Sequence, residues 1–355
     1  MYKETDHGNF TYTFFGPMEM VNSGEVTVLD EPLAIKITMS VLLAIIMIAS
    51  VIGNLLTCSV IARYRSMRTP TNCYLFSLAI TDLMISLFIP IEIYVIWVPD
   101  FYPFGEPGCL LHLVLLSGLS NTSVLTISAF TVERYLVVHK PFLYKKLSNN
   151  SRVFKIVAVI WIISWAFSLP ESFTADLLVV KKYVICYTTV SNNIRILIAF
   201  QVICFFMFPM AKITVLYVMI ARKLRSAEYN MGNSPATLKV NREKVVKMLV
   251  AVAGSFFFCW SPCVFMRIMM IFPHYTGEDY HMTWRILSYT CGINGYMITA
   301  INPILYTLMS IKFRQLFKAL LRGDNNIAKQ GSAKKIHFTF ELASQKTTTT
   351  RGAIA

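Results

Sequence analysis

Long runs of apolar residues, separated by short polar segments, dominate the hydrophobic pattern of this chain. About 20 consecutive apolar residues in a helix are enough to cross the hydrocarbon core of a bilayer. Runs of that length lie roughly at 33–61, 74–98, 109–138, 153–173, 194–220, 245–272 and 284–309. A buried helix of a soluble protein could imitate one of them, but hardly all seven. The pattern therefore predicts an all-α membrane protein, a bundle of seven transmembrane helices.

A shorter segment with helical periodicity follows the seventh run. Within "SIKFRQLFKALLRG", basic side chains share one helical face and apolar side chains share the other: Ile311, Phe313, Leu316, Phe317, Leu320 and Leu321. A helix of this kind lies in the membrane surface and contacts lipid. The predicted organisation is an extracellular amino terminus at 1–32, a bundle at 33–309, an amphipathic helix at 310–322 and a disordered cytoplasmic tail at 323–355.

Composition and charge agree with a lipid environment. Of the 355 residues, 55% are hydrophobic and 15% are charged, whereas soluble domains carry about a quarter charged residues. The net charge of +14 could suggest nucleic-acid binding, but 24 of the 33 basic residues lie in or at the edges of the first, third and fifth connections, or after the seventh run. Basic residues accumulate on the cytoplasmic side of membrane proteins. The charge therefore predicts an extracellular amino terminus, and it requires no nucleic-acid partner.

Two of the eight cysteines fall on the predicted outer side. Cys109 opens the third run, and Cys186 lies in the connection between the fourth and fifth runs. An oxidising compartment favours a disulfide between them, which would hold this connection over the mouth of the bundle. Alternating apolar residues predict a short β-hairpin in the same connection. The remaining cysteines are expected to be small core residues: Cys58, Cys73, Cys204, Cys259, Cys263 and Cys291.

A glycosylation sequon, Asn9-Phe10-Thr11, lies in the segment before the first run. Asparagine in this context is glycosylated when it reaches the secretory lumen. We therefore expect a glycan on Asn9, in agreement with an extracellular amino terminus.

Short motifs on each run resemble those of the rhodopsin-like (class A) G-protein-coupled receptors. They occur in the order of that family from about residue 50 to residue 320. The motifs are Gly53-Asn54, "LAITDL" with Asp82, Cys109, Glu133-Arg134-Tyr135, Trp161, Pro209, Tyr217, "FFFCWSP" with Phe256, Trp260 and Pro262, and "NPILY" from Asn302 to Tyr306. The resemblance implies a receptor that signals to heterotrimeric G proteins from the plasma membrane and is regulated by a receptor kinase and by arrestin.

The resemblance assigns an ion site to Asp82. An isolated charge near the middle of a membrane costs at least about 2.5–3.5 kcal/mol, so this aspartate either lies in a polar pocket or has a function. In the family it binds an allosteric sodium ion, and Ser123 and Asn302 match two helper positions. Ile298 and Leu119 stand where many members have asparagine. No cofactor is required, but sodium is a candidate.

The same resemblance implies a conformational switch. Pro262 and Pro303 each remove a backbone hydrogen bond from a helix and create a kink. Ligand pressure on Trp260, next to Phe256, would move the inner end of the sixth helix. At the cytoplasmic end Glu133 would pair with Arg134 at rest, and activation would free Arg134 to contact Tyr217 and the G protein.

One residue departs from the family pattern at this end. Many relatives hold the arginine with an acidic residue at the start of the sixth helix, where this chain has Arg242 followed by Glu243. The missing restraint predicts measurable ligand-independent signalling.

Other classes of protein fit less well. The chain has no glycine-rich phosphate loop, no pair of histidines at metal-binding spacing and no nucleophile elbow, so we expect no enzyme, no catalytic residue and no metal site. A transporter remains a remote alternative, although repeated halves with interrupted helices are not evident. Within the family, Tyr296 replaces the retinal-binding lysine of opsins, and Leu116 replaces the aspartate of monoamine receptors.

The predicted ligand pocket contains opposite charges in the outer half of the bundle. Glu92 and Arg267 are its ionisable pair, and its other candidates are Trp97, His112, Leu116, Gln201 and Tyr296. Glu92 and Arg267 could pair with each other or extend to the interface; alternatively they bind a ligand. If they bind a ligand, the chain most resembles receptors for short peptides, amidated or not, such as those for thyrotropin-releasing hormone, neuromedin and invertebrate amidated peptides. A lipid or another small non-amine ligand, or high basal activity without a ligand, remains open.

Overall fold

The computed structural model describes residues 31–322 apart from 148, 181–182, 190–191, 230–235, 273–277 and 310, together with three short strands among the first 30 residues. It confirms the predicted helical membrane bundle. Six described helical spans are long and apolar enough to cross a membrane. A further helix of 32 residues, Glu278–Met309, packs beside them as the seventh.

The helices of the seven spans extend beyond the predicted apolar runs at several of their ends. They are α1 Leu33–Arg63, α2 Pro70–Ser86 with α3 Ile89–Trp97, α4 Gly105–His139, α6 Asn150–Ser168, α7 Asn192–Val202 with α8 Phe208–Tyr229, α9 Ala236–Ile271 and α10 Glu278–Met309. A short helix, α5, occupies Pro141–Leu147, and α11 occupies Ile311–Leu321. Polar first turns extend several helices beyond their apolar cores, because hydropathy marks where a helix meets lipid and not where it ends.

Prolines interrupt two of the spans. The second span breaks between Ser86 and Ile89, directly before Pro90, which lies in the first turn of α3. The fifth span contains a π-helical stretch at Ile203–Met207, just before Pro209. Proline lacks an N–H and collides with the preceding turn, so a helix must adjust on its amino-terminal side. Apolar periodicity alone does not reveal these breaks.

The first span buries one face and leaves the other on the outside of the bundle. In α1 the buried residues include Leu43, Ile46 and Ser50, which recur every three to four positions. Large apolar side chains more than half exposed lie between them on the other face: Ile45, Ile48, Ile52 and Leu55. An exposed apolar band of this kind would aggregate in water, and it fits contact with lipid tails.

The first and last spans approach closely at Gly53. A Cβ atom placed on Gly53 would lie 2.7 Å from Cβ of Pro303 on α10, so a side chain would clash there. The neighbouring Asn54 donates hydrogen bonds to the carbonyl oxygens of Ser50 and Thr299, at 3.0 Å each. The Gly-Asn pair therefore joins α1 to α10 beside Pro303.

A β-hairpin covers the outer end of the bundle, as predicted. Strands β4 Ala175–Val180 and β5 Tyr183–Thr189 pair antiparallel, with Leu177 opposite Cys186. Strand β1, Thr11–Tyr12, adds to the free edge of β5, while β2 Met20–Asn22 pairs with β3 Glu25–Thr27. The predicted Cys109–Cys186 disulfide is present and fixes the hairpin to the start of α4.

The predicted amphipathic helix is also present, as α11. Its buried residues are Phe313, Leu316 and Ala319, whereas Arg314 and Lys318 are exposed. The spacing of three residues places the buried side chains on one face, and α11 packs against α1 and α10. The glycosylation sequon at Asn9 and the tail beyond residue 322 lie outside the described residues.

Candidate functional site

A cavity opens between the spans in the outer half of the bundle. The space between its lining side chains amounts to about 970 Å³, including the open mouth. Most of its wall is apolar and comes from α4, the fifth span, α9 and α10. Trp260 and Phe206 contribute to this wall. The indole of Trp260 lies 6.0 Å from the ring of Phe256, centre to centre, so the cavity contacts the predicted aromatic switch directly.

Two of the predicted ligand residues form a polar pair in the cavity wall. Arg267 donates a hydrogen bond through Nη1 to Oε1 of Gln201, at 2.7 Å. The amide nitrogen of Gln201 donates to the carbonyl oxygen of Phe167, at 2.8 Å. This second bond fixes the orientation of the amide, so that its oxygen faces Arg267. The pair thus presents a cationic donor beside a fixed acceptor.

Glu92 lies apart from Arg267, in a cluster of its own. The hydroxyl of Tyr296, which lines the cavity, donates to Oε1 of Glu92 at 3.0 Å. Nε2 of His112 lies 3.2 Å from the same oxygen, within ion-pair range but off the line of a hydrogen bond. Glu92 is only 2% exposed. The pairing of Glu92 with Arg267 considered from the sequence is therefore not observed; each has its own neutral or histidine partner.

Tyr102 extends this cluster toward the outer surface. Its hydroxyl lies 3.2 Å from Nδ1 of His112 and 3.2 Å from the carbonyl oxygen of Gly108, to which it donates. Burial, and secondarily the negative charge of Glu92, raise the pKa of Tyr102 to about 12. The hydroxyl therefore keeps its proton at physiological pH and remains a donor. Sequence patterns gave no signal for Tyr102, because it lies in a connection between two apolar runs.

The other predicted ligand residues separate into two groups. Leu116 is buried and lines the cavity beside Tyr296. Trp97 is 44% exposed and donates its indole N–H to Ser40 of α1, at 2.9 Å. It therefore lies against the first span and not in the cavity wall. Its role in ligand binding stays a prediction.

A buried polar centre lies around Asp82. Asn302 donates to Oδ2 of Asp82 at 2.9 Å. Oδ1 of Asp82 and Oγ of Ser123 are buried and make no hydrogen bond in the described part of the chain. Ile298 and Leu119 are buried apolar residues, as their identities imply. Carboxylate and hydroxyl oxygens without partners fit the needs of a hard cation such as sodium, although the donor set is small.

A second disulfide, which the sequence analysis missed, joins α9 to α10. Cys263 and Cys291, expected to be free core residues, are bonded, with their Cα atoms 4.7 Å apart. Both contribute to the cavity wall. The bond follows directly after Pro262, so it ties the sixth and seventh spans together beside this proline. The sequence places two cysteines at similar depth on consecutive spans, but depth alone does not show that they face each other.

At the end predicted to be cytoplasmic, the side chains differ from the predicted resting arrangement. Glu133 forms an ion pair with Arg152 of α6 and also accepts a hydrogen bond from Tyr74, at 3.5 Å. Arg134 instead places its guanidinium 4.8 Å from the ring centre of Phe130. Among the described side chains, Glu133 and Arg134 form no ion pair. Consecutive residues of a helix point about 100° apart, so the two side chains can take partners in different directions, as Glu133 and Arg134 do here.

Two other residues of the predicted motifs make hydrogen bonds between helices. Tyr217 accepts a hydrogen bond from Thr131, at 3.1 Å, one turn before Arg134. Trp161 joins α6 to α2 through a bond to Ser77 at 3.1 Å. The side chains of Tyr306, Arg242 and Glu243 lie outside the described residues. Within the described residues, no cluster of three or more histidine, cysteine, aspartate or glutamate side chains could hold a metal ion.

Comparisons with known proteins agree with this architecture. The family described as "7 transmembrane receptor (rhodopsin family)" matches residues 53–306. The pyrokinin-1 receptor of Drosophila melanogaster is 32% identical, over 82% of this chain and 81% of that protein. In Mus musculus, neuromedin-U receptor 2 is 31% identical, over 80% and 75%. Neuromedin-U receptor 1 of the same species is 33% identical, over 77% and 70%.

Proposed function

The chain belongs to the seven-transmembrane receptors of the rhodopsin family, and we propose that it is a cell-surface receptor for a short peptide. Its relatives are named as receptors for pyrokinin and neuromedin U. The observation that carries the proposal is the cavity with the Arg267–Gln201 pair in its wall. A monoamine would need an anion in place of Leu116, and retinal would need a lysine in place of Tyr296.

The Arg267–Gln201 pair suits a carboxamide at the end of a peptide. A carboxamide has one carbonyl acceptor and one NH₂ donor. Arg267 can donate to the carbonyl oxygen through a charge-assisted bond, and the fixed oxygen of Gln201 can accept from the NH₂ group. A free carboxylate would place its negative oxygens against the Gln201 oxygen. The pair therefore favours an amidated carboxyl terminus.

Glu92 provides the second anchor of the proposed site. Its buried carboxylate accepts from one neutral hydroxyl and lies beside His112, so a basic ligand side chain that displaces His112 would gain a charged partner. The carboxylate lies behind Tyr296 as seen from the cavity, and the ligand must therefore displace or reorient these two side chains. The acidic residues before the first span would attract a cationic peptide.

The signal then passes inward along α9. Ligand contact with Trp260 acts next to Pro262, where the helix lacks a hydrogen bond and can pivot. The Cys263–Cys291 bond holds the helix to α10 at this level, so the pivot would move the cytoplasmic end. We assign G-protein contact to that end, receptor kinase and arrestin to the tail, and lipid to α11, with the amino terminus outside the plasma membrane.

A panel of peptides tests the proposed function. Cells expressing the chain are exposed to pyrokinin and neuromedin U, each synthesised with a carboxamide and with a free carboxylate at the carboxyl end. Calcium and cAMP are measured in parallel, because G proteins of different classes act through different second messengers. We expect at least one amidated peptide to give a saturable response that mock-transfected cells lack. Silence to these peptides together with a response to a lysophospholipid panel would indicate a lipid receptor instead.

We also propose that sodium binds at Asp82 and opposes agonist binding. Asp82 would supply the charge, while Ser123 and the carbonyl oxygen of Asn302 would complete the set of oxygen ligands. Oδ1 of Asp82 and Oγ of Ser123 make no hydrogen bond among the described residues, which supports this assignment, whereas the apolar Ile298 and Leu119 limit it. The effect of sodium binding on agonist affinity should therefore be weak compared with the usual coupling between two binding sites of a protein.

Sodium dependence is measured as agonist affinity in membranes. Affinity in sodium chloride should be about fivefold lower than in N-methylglucamine chloride of the same ionic strength. Ser123→Ala should reduce this difference, because it removes one ligand. Ser128→Ala is the matched control, since Ser128 is another buried serine of α4 without a hydrogen-bond partner among the described residues. Equal affinity of the unmodified receptor in the two salts would refute the site.

A further inference from the structure

We infer that Arg152 holds Glu133 away from Arg134 and thereby raises the ligand-independent signalling of this receptor. The inference rests on the proposed G-protein signalling but not on the nature of the ligand. It starts from one contact: the carboxylate of Glu133, 2% exposed, forms an ion pair with the guanidinium of Arg152 on a different helix. Arg152 is thus a positioning residue for the arginine that contacts the G protein.

The geometry of α6 explains why the two charges meet. Asn149 caps this helix, with its side-chain oxygen accepting from the N–H of Ser151 at 2.9 Å. Arg152 therefore lies in the first turn, where the helix dipole disfavours a cation and favours an anion. Glu133 supplies that anion from α4. Each charge compensates the other, and separating them would leave a buried carboxylate without a cation.

This pairing changes the position of Arg134. Glu133 faces α2 and α6, where Tyr74 and Arg152 contact it, and Arg134 faces Phe130, one turn earlier on its own helix. Because the carboxylate of Glu133 already pairs with Arg152, it gains less free energy from an additional ion pair with Arg134. If Arg152 loses its charge, Glu133 loses its cationic partner. Arg134 is then the cation to which the carboxylate of Glu133 turns, and the ion pair between Glu133 and Arg134 strengthens.

The test measures signalling without any ligand. Membranes with receptor and co-expressed G proteins from each main class are assayed for binding of a non-hydrolysable GTP analogue, normalised to receptor amount. Arg152→Gln should lower the basal signal about fivefold, as expected for modest coupling between sites, and Arg152→Lys should restore most of it. Lys155→Gln is the control, because Lys155 is an exposed cation of the same helix and should leave the signal unchanged.

A second background separates positioning from a general loss of structure. In a Glu133→Gln receptor there is no carboxylate to restrain Arg134, so adding Arg152→Gln should have no further effect on the basal signal. Three results would overturn the inference: a wild-type basal signal equal to that of mock membranes, an unchanged or higher signal in Arg152→Gln, or an equal loss in the Glu133→Gln background. None of these outcomes depends on a peptide, so failure of the peptide proposal remains distinguishable.

Discussion

Replacing Arg267 with glutamine is expected to lower the potency of an activating amidated peptide about 30-fold or more. Loss of one partner from a buried charged hydrogen bond costs about 2 kcal/mol or more, and each 1.4 kcal/mol corresponds to a factor of about ten. The loss has two parts: the ligand carbonyl loses its donor, and Gln201 loses the arginine that its oxygen faces. Concentration–response curves, with surface expression measured in parallel, give the shift.

Arg195→Gln provides the matched control for Arg267. Arg195 is a cation of the fifth span, on the same helical segment as Gln201, and it is not part of the cavity wall. Its removal changes the charge of the outer half by the same amount and should shift potency little. Equal shifts in the two variants would mean that Arg267 acts only through long-range attraction, and an unchanged potency in Arg267→Gln would remove it from the site.

Glu92→Gln should lower the potency of a basic peptide about tenfold or more. Glutamine keeps the volume of glutamate and an oxygen that can accept from Tyr296, so the cavity wall is preserved while the charge is lost. The effect should depend on the ligand: a peptide in which citrulline replaces arginine should bind the two receptors with similar affinity. Such a cycle of receptor and ligand changes isolates the interaction between the two groups.

Glu106→Gln is the corresponding control, because Glu106 is an exposed acid in the first turn of α4, outside the cavity. It should not change potency beyond a small electrostatic effect. If the citrulline peptide loses as much potency on Glu92→Gln as the arginine peptide does, Glu92 acts by supporting Tyr296 and not by binding the ligand.

The sequence predicted most of the fold because a membrane imposes a simple rule. Backbone groups in lipid must bond within a helix, so every sufficiently long apolar run forms a span. The Cys109–Cys186 bond was predictable as well, because Cys109 begins the third apolar run and Cys186 lies in a connection, both on the predicted outer side. The break before Pro90 and the π-helical stretch before Pro209 were not, because several backbone adjustments can accommodate a proline within an apolar run.

The site was less predictable, since it depends on how helices rotate about their axes. Glu92 and Arg267 lie on suitable spans, but sequence does not show that Tyr296 separates Glu92 from the cavity. The same limit applies to Glu133, whose partner Arg152 is 19 positions away on another helix, and to the Cys263–Cys291 bond. A motif names the residues of a site; the packing of the helices decides which of them touch.

The most direct test of the account is the equilibrium binding of two peptides that differ only in a terminal carboxamide or carboxylate. The unmodified receptor should bind the amide at least about tenfold more tightly, a difference of about 1.4 kcal/mol. In Gln201→Met, which removes the fixed acceptor while roughly keeping the volume, this preference should disappear or reverse, because Arg267 alone favours a carboxylate. The proposed site would be contradicted if neither peptide showed saturable binding. It would also be contradicted if the unmodified receptor and Gln201→Met had the same preference for the amide.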